Sequence, residues 1–132
     1  MDLINNLKPL MSIKPAAYGV GTTNGSSLDA ANFREVALHF GLGTIDAGNT
    51  VAFKLQDSDD NATWADVVGA ATPAYDSTSS DKDNFQLGSR LRYRRAAGSA
   101  KRYLRVVQTV TGAGSVRTYA QLTAGKASQA PV

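Results

Sequence analysis

Apolar and polar residues alternate along most of this chain with a period of two, the signature of half-buried strands rather than helices. From Glu35, the run EVALHFGL sets Val36, Leu38, Phe40 and Leu42 on one side and Glu35, Ala37, His39 and Gly41 on the other. The run TVAFKLQ repeats the pattern, with Val51, Phe53 and Leu55 inward. Between the two, GTIDAGN supplies Gly43, Gly48 and Asn49, residues that tolerate positive φ, and predicts a hairpin connection. Further strand-like runs are TWADVV at 63–68, RLRYRRA at 90–96, RYLRVVQTV at 102–110 and SVRTYAQL at 115–122, each bounded by Gly, Ser, Asn or Pro. Short strands separated by turns, with no long helical stretch, predict an all-β fold, an antiparallel sandwich or barrel.

Two segments depart from this pattern. Leu3, Ile4, Leu7, Leu10 and Met11 approach helical spacing, but Pro9 interrupts them, so residues 1–14 are expected to form an extended arm that clings to a surface. At the other end AGKASQAPV is small and polar, which predicts a flexible tail over 124–132 and leaves 15–123 as one β-sandwich domain. Two internal stretches, GTTNGSSLDAAN and TPAYDSTSSDKDN, read as loops, the second long enough to touch a partner.

Composition narrows the function classes. A chain of 132 residues is large enough for one domain with its own core. It has no cysteine, which removes disulfides, thiolate metal sites and cysteine nucleophiles and leaves the redox compartment open. The opening MDLINNLKPLM lacks a cationic stretch before its apolar residues, so no secretory signal is expected. No run approaches the roughly 20 apolar residues of a membrane span. A soluble protein made in the cytoplasm is therefore expected. Net charge is +3, but residues 1–83 hold all eleven acids and five bases, a net of −6, whereas residues 84–132 hold nine bases and no acid, a net of +9. If the halves stay apart in space, such polarity favours contact with copies of the same chain or with an acidic surface.

The stretch KLQDSDDNATWADVV, residues 54–68, concentrates the candidate chemistry. Asp57, Asp59 and Asn61 alternate as in the front half of a calcium loop, but Ala62 stands where the loop needs glycine and Val68 where it needs glutamate. The better reading is a turn in which Asp59, Asp60 and Asn61 bond their own backbone. Trp64, the single tryptophan, is in phase with Asp66 and would face outward, where it could stack a sugar; at a bulge it would be core.

The densest charge lies in RLRYRRAAGSAKRYLR, where Arg90, Arg92, Arg94, Arg95, Lys101, Arg102 and Arg105 interleave with Tyr93 and Tyr103. A hairpin turning at Gly98 and Ser99 would present a guanidinium ladder. That ladder could grip phosphates while the tyrosines stack bases, or pair with acids within the subunit or across an interface. The second is favoured, since no nucleic-acid module motif accompanies the arginines. Catalysis has little support. His39 and Glu35 share a strand face but make no triad, and neither a nucleophile elbow nor a phosphate-binding loop occurs. No catalytic residue, cofactor or metal is expected, and the chain is not expected to be an enzyme.

Read together, VAFKLQDSDDNATWADVV and KRYLRVVQTVTGAGS resemble small virion proteins of tailed bacteriophages, particularly the head decoration or cement proteins, over roughly residues 33–123. The motif S-D-D-x-x-T-W is also similar to turns of carbohydrate-binding sandwiches. The resemblance implies a jelly-roll-like sandwich that binds the outside of an assembled capsid as an oligomer, a dimer or trimer, and bridges neighbouring capsomers. Its partners would be the major capsid protein and other copies of itself, and its place the exterior of the virion. On this reading the arm residues Leu3, Ile4, Leu7, Leu10 and Met11 and the arginine-rich stretch make the contacts. The alternatives are a carbohydrate-binding or tail-associated module using Trp64 and the 57–61 turn, and a single-stranded nucleic-acid binder using the arginines.

Overall fold

A computed structural model describes residues 7–31, 33, 35–79, 89–94 and 101–125. They form nine strands: β1 (Leu7–Tyr18), β2 (Gly21–Asn24), β3 (Leu28–Asp29), β4 (Glu35–Ile45), β5 (Thr50–Ser58), β6 (Ala65–Ala71), β7 (Ser89–Arg94), β8 (Tyr103–Thr111) and β9 (Val116–Gly125). One sheet has the order β1-β9-β4-β7 and the other β2-β8-β5-β6, with the short β3 also on β8. All pairings are antiparallel, and they nest: β1 takes β9, β2 takes β8, β4 takes β7 and β5 takes β6. Successive nested pairs alternate between the sheets, so the chain is in effect one long antiparallel ribbon rolled up. The pairs β4–β9 and β5–β8 close the roll. The result is a jelly roll, the double Greek-key solution that gives two one-sided sheets a shared core.

The alternation in the sequence builds that core. Val36, Leu38, Phe40 and Leu42 of β4 face Val51, Phe53 and Leu55 of β5 across the sandwich, joined by Leu104, Val106 and Val110 of β8 and by Val116, Ala120, Leu122 and Ala124 of β9. Phe40 and Phe53 meet at 4.7 Å between ring centroids, and Tyr75 packs 5.6 Å from Phe40. Gln108 occupies the inward position between Val106 and Val110, fully buried, with its Oε1 accepting the Thr118 hydroxyl. At one end of the sandwich the β4–β5 and β8–β9 connections lock together. The Ser115 N–H donates to Asp46 Oδ2 at 3.0 Å and the Gly114 N–H to Asn49 Oδ1 at 2.9 Å. Gly112 sits there at φ 104°, where a Cβ would come within 2.6 Å of the Gly48 carbonyl oxygen.

Several sequence expectations change. The segment expected as an arm over 1–14 is, from Leu7 onward, the first part of β1, an edge strand in register with β9 and holding buried Ile13. An edge strand tolerates Pro9 and Pro15 because alternate N–H groups point away from the ladder, and prolines and lysines such as Lys8 and Lys14 blunt the edge against further pairing. At the C-terminal end, Ala124 is buried and Gly125 completes β9, so these two residues belong to the sandwich and not to a tail; residues 126–132 lie outside those described. The stretch GTTNGSSLDAAN carries β2 and β3 rather than a plain loop, and TPAYDSTSSDKDN contributes a bridge from Tyr75 to Val51 and a short 3-10 turn at Ser77–Ser79. The GTIDAGN connection is not a hairpin: β4 and β5 lie in opposite sheets. Each strand buries one apolar face, and two consecutive strands bury theirs against each other by facing across the core.

Candidate functional site

The acidic knot is a turn. Asp60 Oδ1 accepts the N–H groups of Ala62 at 2.9 Å and Thr63 at 2.8 Å and the Ser58 hydroxyl at 2.9 Å, while Asn61 adopts φ 60°. These bonds, the Thr63 one first, hold the Asp60 carboxyl at about 2. Asp60 Oδ1 thus holds the turn together, which gives the 57–61 turn a structural task.

Trp64 follows that turn and stands on the outer face of the five-stranded sheet, half-buried, outside the apolar core. Its ring carries the Arg105 guanidinium 4.3 Å from the centroid, a cation–π contact. Arg105, on β8 directly across from Gln56 on β5, donates Nε and Nη2 to Gln56 Oε1 at 3.0 and 2.8 Å. Gln56 Nε2 in turn donates to Asp66 Oδ1 at 2.9 Å, and Lys54 Nζ lies 3.2 Å from both Asp66 oxygens. The Gln56 bond and then Lys54 draw the Asp66 carboxyl below its ordinary value. Burial lowers the Arg105 guanidinium, and among the described residues no carboxylate pairs with it. Three strands thus assemble one relay, Lys54–Asp66–Gln56–Arg105–Trp64.

The expected arginine hairpin does not exist. β7 belongs to the four-stranded sheet and β8 to the other, so the basic stretch is divided between them. On β7, Arg90, Arg92 and Arg94 stand in register opposite His39, Ala37 and Glu35. Arg102 precedes β8 and binds Asp29 through two bonds of 2.8 Å, Nε to Oδ1 and Nη2 to Oδ2. That fork raises the arginine and holds the Asp29 carboxyl at about 2. It is one carboxylate pairing of the arginine-rich stretch, made within the subunit, where the sequence left pairing within the subunit and pairing across an interface both open. Lys101 lies just before it, and Arg95 is outside the described residues. Of the expected arm contacts, Leu7 is exposed and Leu10 and Met11 half-buried on β1; Leu3 and Ile4 are outside the described residues.

The outer face of the four-stranded sheet holds a feature that sequence reading passed over. A hollow of about 310 Å³ lies over β1, β9 and β4, bordered by Pro15, Ala17, Gly41, Gly43, Arg117 and Tyr119. Tyr119 lies across Gly41, where a Cβ would run into its ring, and the His39 ring lies beside it, tilted by 48° with centroids 6.1 Å apart. The signal was present: the outward positions of β4 run Ala37, His39, Gly41 and Gly43, three of the four small. His39 thus contacts a tyrosine ring, and Glu35 stands across from Arg94.

A family model, Bbp16, matches residues 32–130. Among curated proteins, none matches the sequence. Among solved structures, a chain of infectious bursal disease virus, Gx strain, is similar over 89% of this chain and 31% of its own length, with 11% identity and a TM-score of 0.59. A VP2 subviral particle of the same virus gives 10% identity and a TM-score of 0.58 over 89% and 32%, and a mutant VP2 from derived T=1 particles gives 15% and 0.58 over 92% and 32%. The chain spans about a third of the viral chains it matches. At such identities the likeness is one of fold, the jelly roll of a capsid-protein domain.

Proposed function

Since this chain belongs to the Bbp16 family, a family of phage proteins, we propose that it is a non-enzymatic structural protein of the virion that binds the outside of the assembled capsid and bridges neighbouring capsomers. The observation that carries this reading is the order β1-β9-β4-β7. The apolar residues Leu7, Leu10 and Met11 and the arginines 90, 92 and 94 belong to opposite edge strands of one sheet, so a single rigid copy has two separated sets of contact groups. A body engaged at two places gains effective concentration for the second contact, and each bound copy stabilises the assembled shell by mass action. Its partners are the major capsid protein and further copies of itself. The jelly roll shared with a viral capsid-protein domain supports the same reading.

The experiment is co-sedimentation of the purified protein with bare capsids of its phage. Wild type should co-sediment, and Arg92→Glu with Arg94→Glu should weaken association more at low salt than at high salt, because salt screens attraction between opposite charges. A wild-type protein that stays in the supernatant sinks the reading. If the charge-reversed protein binds as wild type does at every salt concentration, β7 has no part in it.

A further inference from the structure

Arg102 and Arg105 lie on the same side of the molecule, three positions apart, and meet different fates. Arg102 is neutralised by Asp29 through a two-bond fork. Arg105 is held as firmly, but among the described residues no carboxylate neutralises it. Gln56, a neutral acceptor, takes two of its N–H groups, and Trp64 supports its face. The acid nearest in the relay, Asp66, is occupied by Gln56 and Lys54. A half-buried guanidinium fixed in orientation, with N–H donors to spare and its charge unmatched, is arranged as an anion receptor is: the ordering of the donor precedes the ligand, and the bond it forms is charge-assisted.

We propose that Arg105, held between Gln56 and Trp64 on the outer face of the five-stranded sheet, receives a single carboxylate from an aspartate or glutamate on the surface of a partner protein. One carboxylate fits better than a polyanion for a reason visible on the same face. Lys54 and Arg102 are already paired, and their partners Asp66 and Asp29 are themselves partly exposed there. A nucleic-acid backbone needs a row of unpaired cations, and here it would meet two acids. The atoms flanking the incoming carboxylate would rest on the exposed part of Trp64. The site is separate from the β1 and β7 edges, so it stands or falls independently of shell binding.

Trp64 is the only tryptophan, so its fluorescence reports this site alone. The full chain is titrated with N-acetylglutamate methylamide and, at matched ionic strength, with the neutral N-acetylglutamine methylamide. The acid should give a saturable change with a dissociation constant on the order of millimolar, and the amide none. Arg105→Gln should abolish the response. Arg105→Lys, which keeps the charge without the fork, should weaken it about tenfold, and Arg117→Gln, on the opposite face, should leave it unchanged. The assignment is overturned by equal responses to acid and amide, by an acid response that survives Arg105→Gln in a folded protein, or by no response at all. An oligothymidylate that binds through Arg105 more tightly than the glutamate derivative at equal salt overturns it in favour of nucleic acid.

Discussion

On the outer face of the five-stranded sheet, long polar side chains hold one another: Lys54, Asp66, Gln56 and Arg105 form a continuous relay that ends on Trp64. On the outer face of the four-stranded sheet, Gly41 and Gly43 leave a hollow, and Tyr119 lies down over the space a side chain would have filled. Both faces come from strands with the same alternation and the same core beneath. They differ in what occupies the outward positions, which is where an alternating strand leaves the choice of residue open. A face of interlocked polar groups is specific because its donors are already oriented; a face of small residues is specific by shape, because it lets another surface come close.

Both faces ride on one core, and breaking that core should have the largest effect. Phe40→Ala removes the ring that meets both Phe53 and Tyr75. It should cost about 3–5 kcal/mol of unfolding free energy in a denaturant titration, with the Trp64 signal and backbone circular dichroism lost in one transition. Separate transitions would mean that the two sheets do not share their stability. A smaller effect should separate the faces. Gly41→Ala pushes aside the far end of the Tyr119 side chain and should cost no more than about 1 kcal/mol, while Trp64 emission in the folded state stays as in wild type. A shifted emission would show that the faces are coupled through the core.

The smallest effect concerns acid. Asp29 has a folded value of about 2, set first by the Arg102 fork, against an ordinary 3.8. Its folded value is depressed, so its contribution to stability is present above the ordinary carboxylate range and is lost as pH falls from about 4 towards 2. Because the pair is exposed, solvent screens it and the loss is slight. Arg102→Gln should flatten that part of the stability curve measured between pH 5 and 2, whereas Arg105→Gln should leave it in place. An identical acid limb in wild type and Arg102→Gln would remove the contrast drawn between the two arginines.

Alternation is a local property, and what depends on it was legible in the residues. Val36, Leu38 and Phe40, and Val51, Phe53 and Leu55, face inward as their period requires. Asp60 forms its turn with atoms only two or three residues away, and Trp64 faces outward in phase with Asp66. The period of two says which face a residue takes, but not which strand lies beside it. Neighbours are chosen by ladder hydrogen bonds between distant segments. Those bonds alone put β7 and β8 in different sheets, made Leu7–Tyr18 an edge strand instead of an arm, brought Asp29 to Arg102, and set Gln56 opposite Arg105. Sequence by itself determined an all-strand body with a known inner face. The tertiary structure decided what each outer face offers, because an outward side chain acquires its chemistry from the strand that happens to lie next to it.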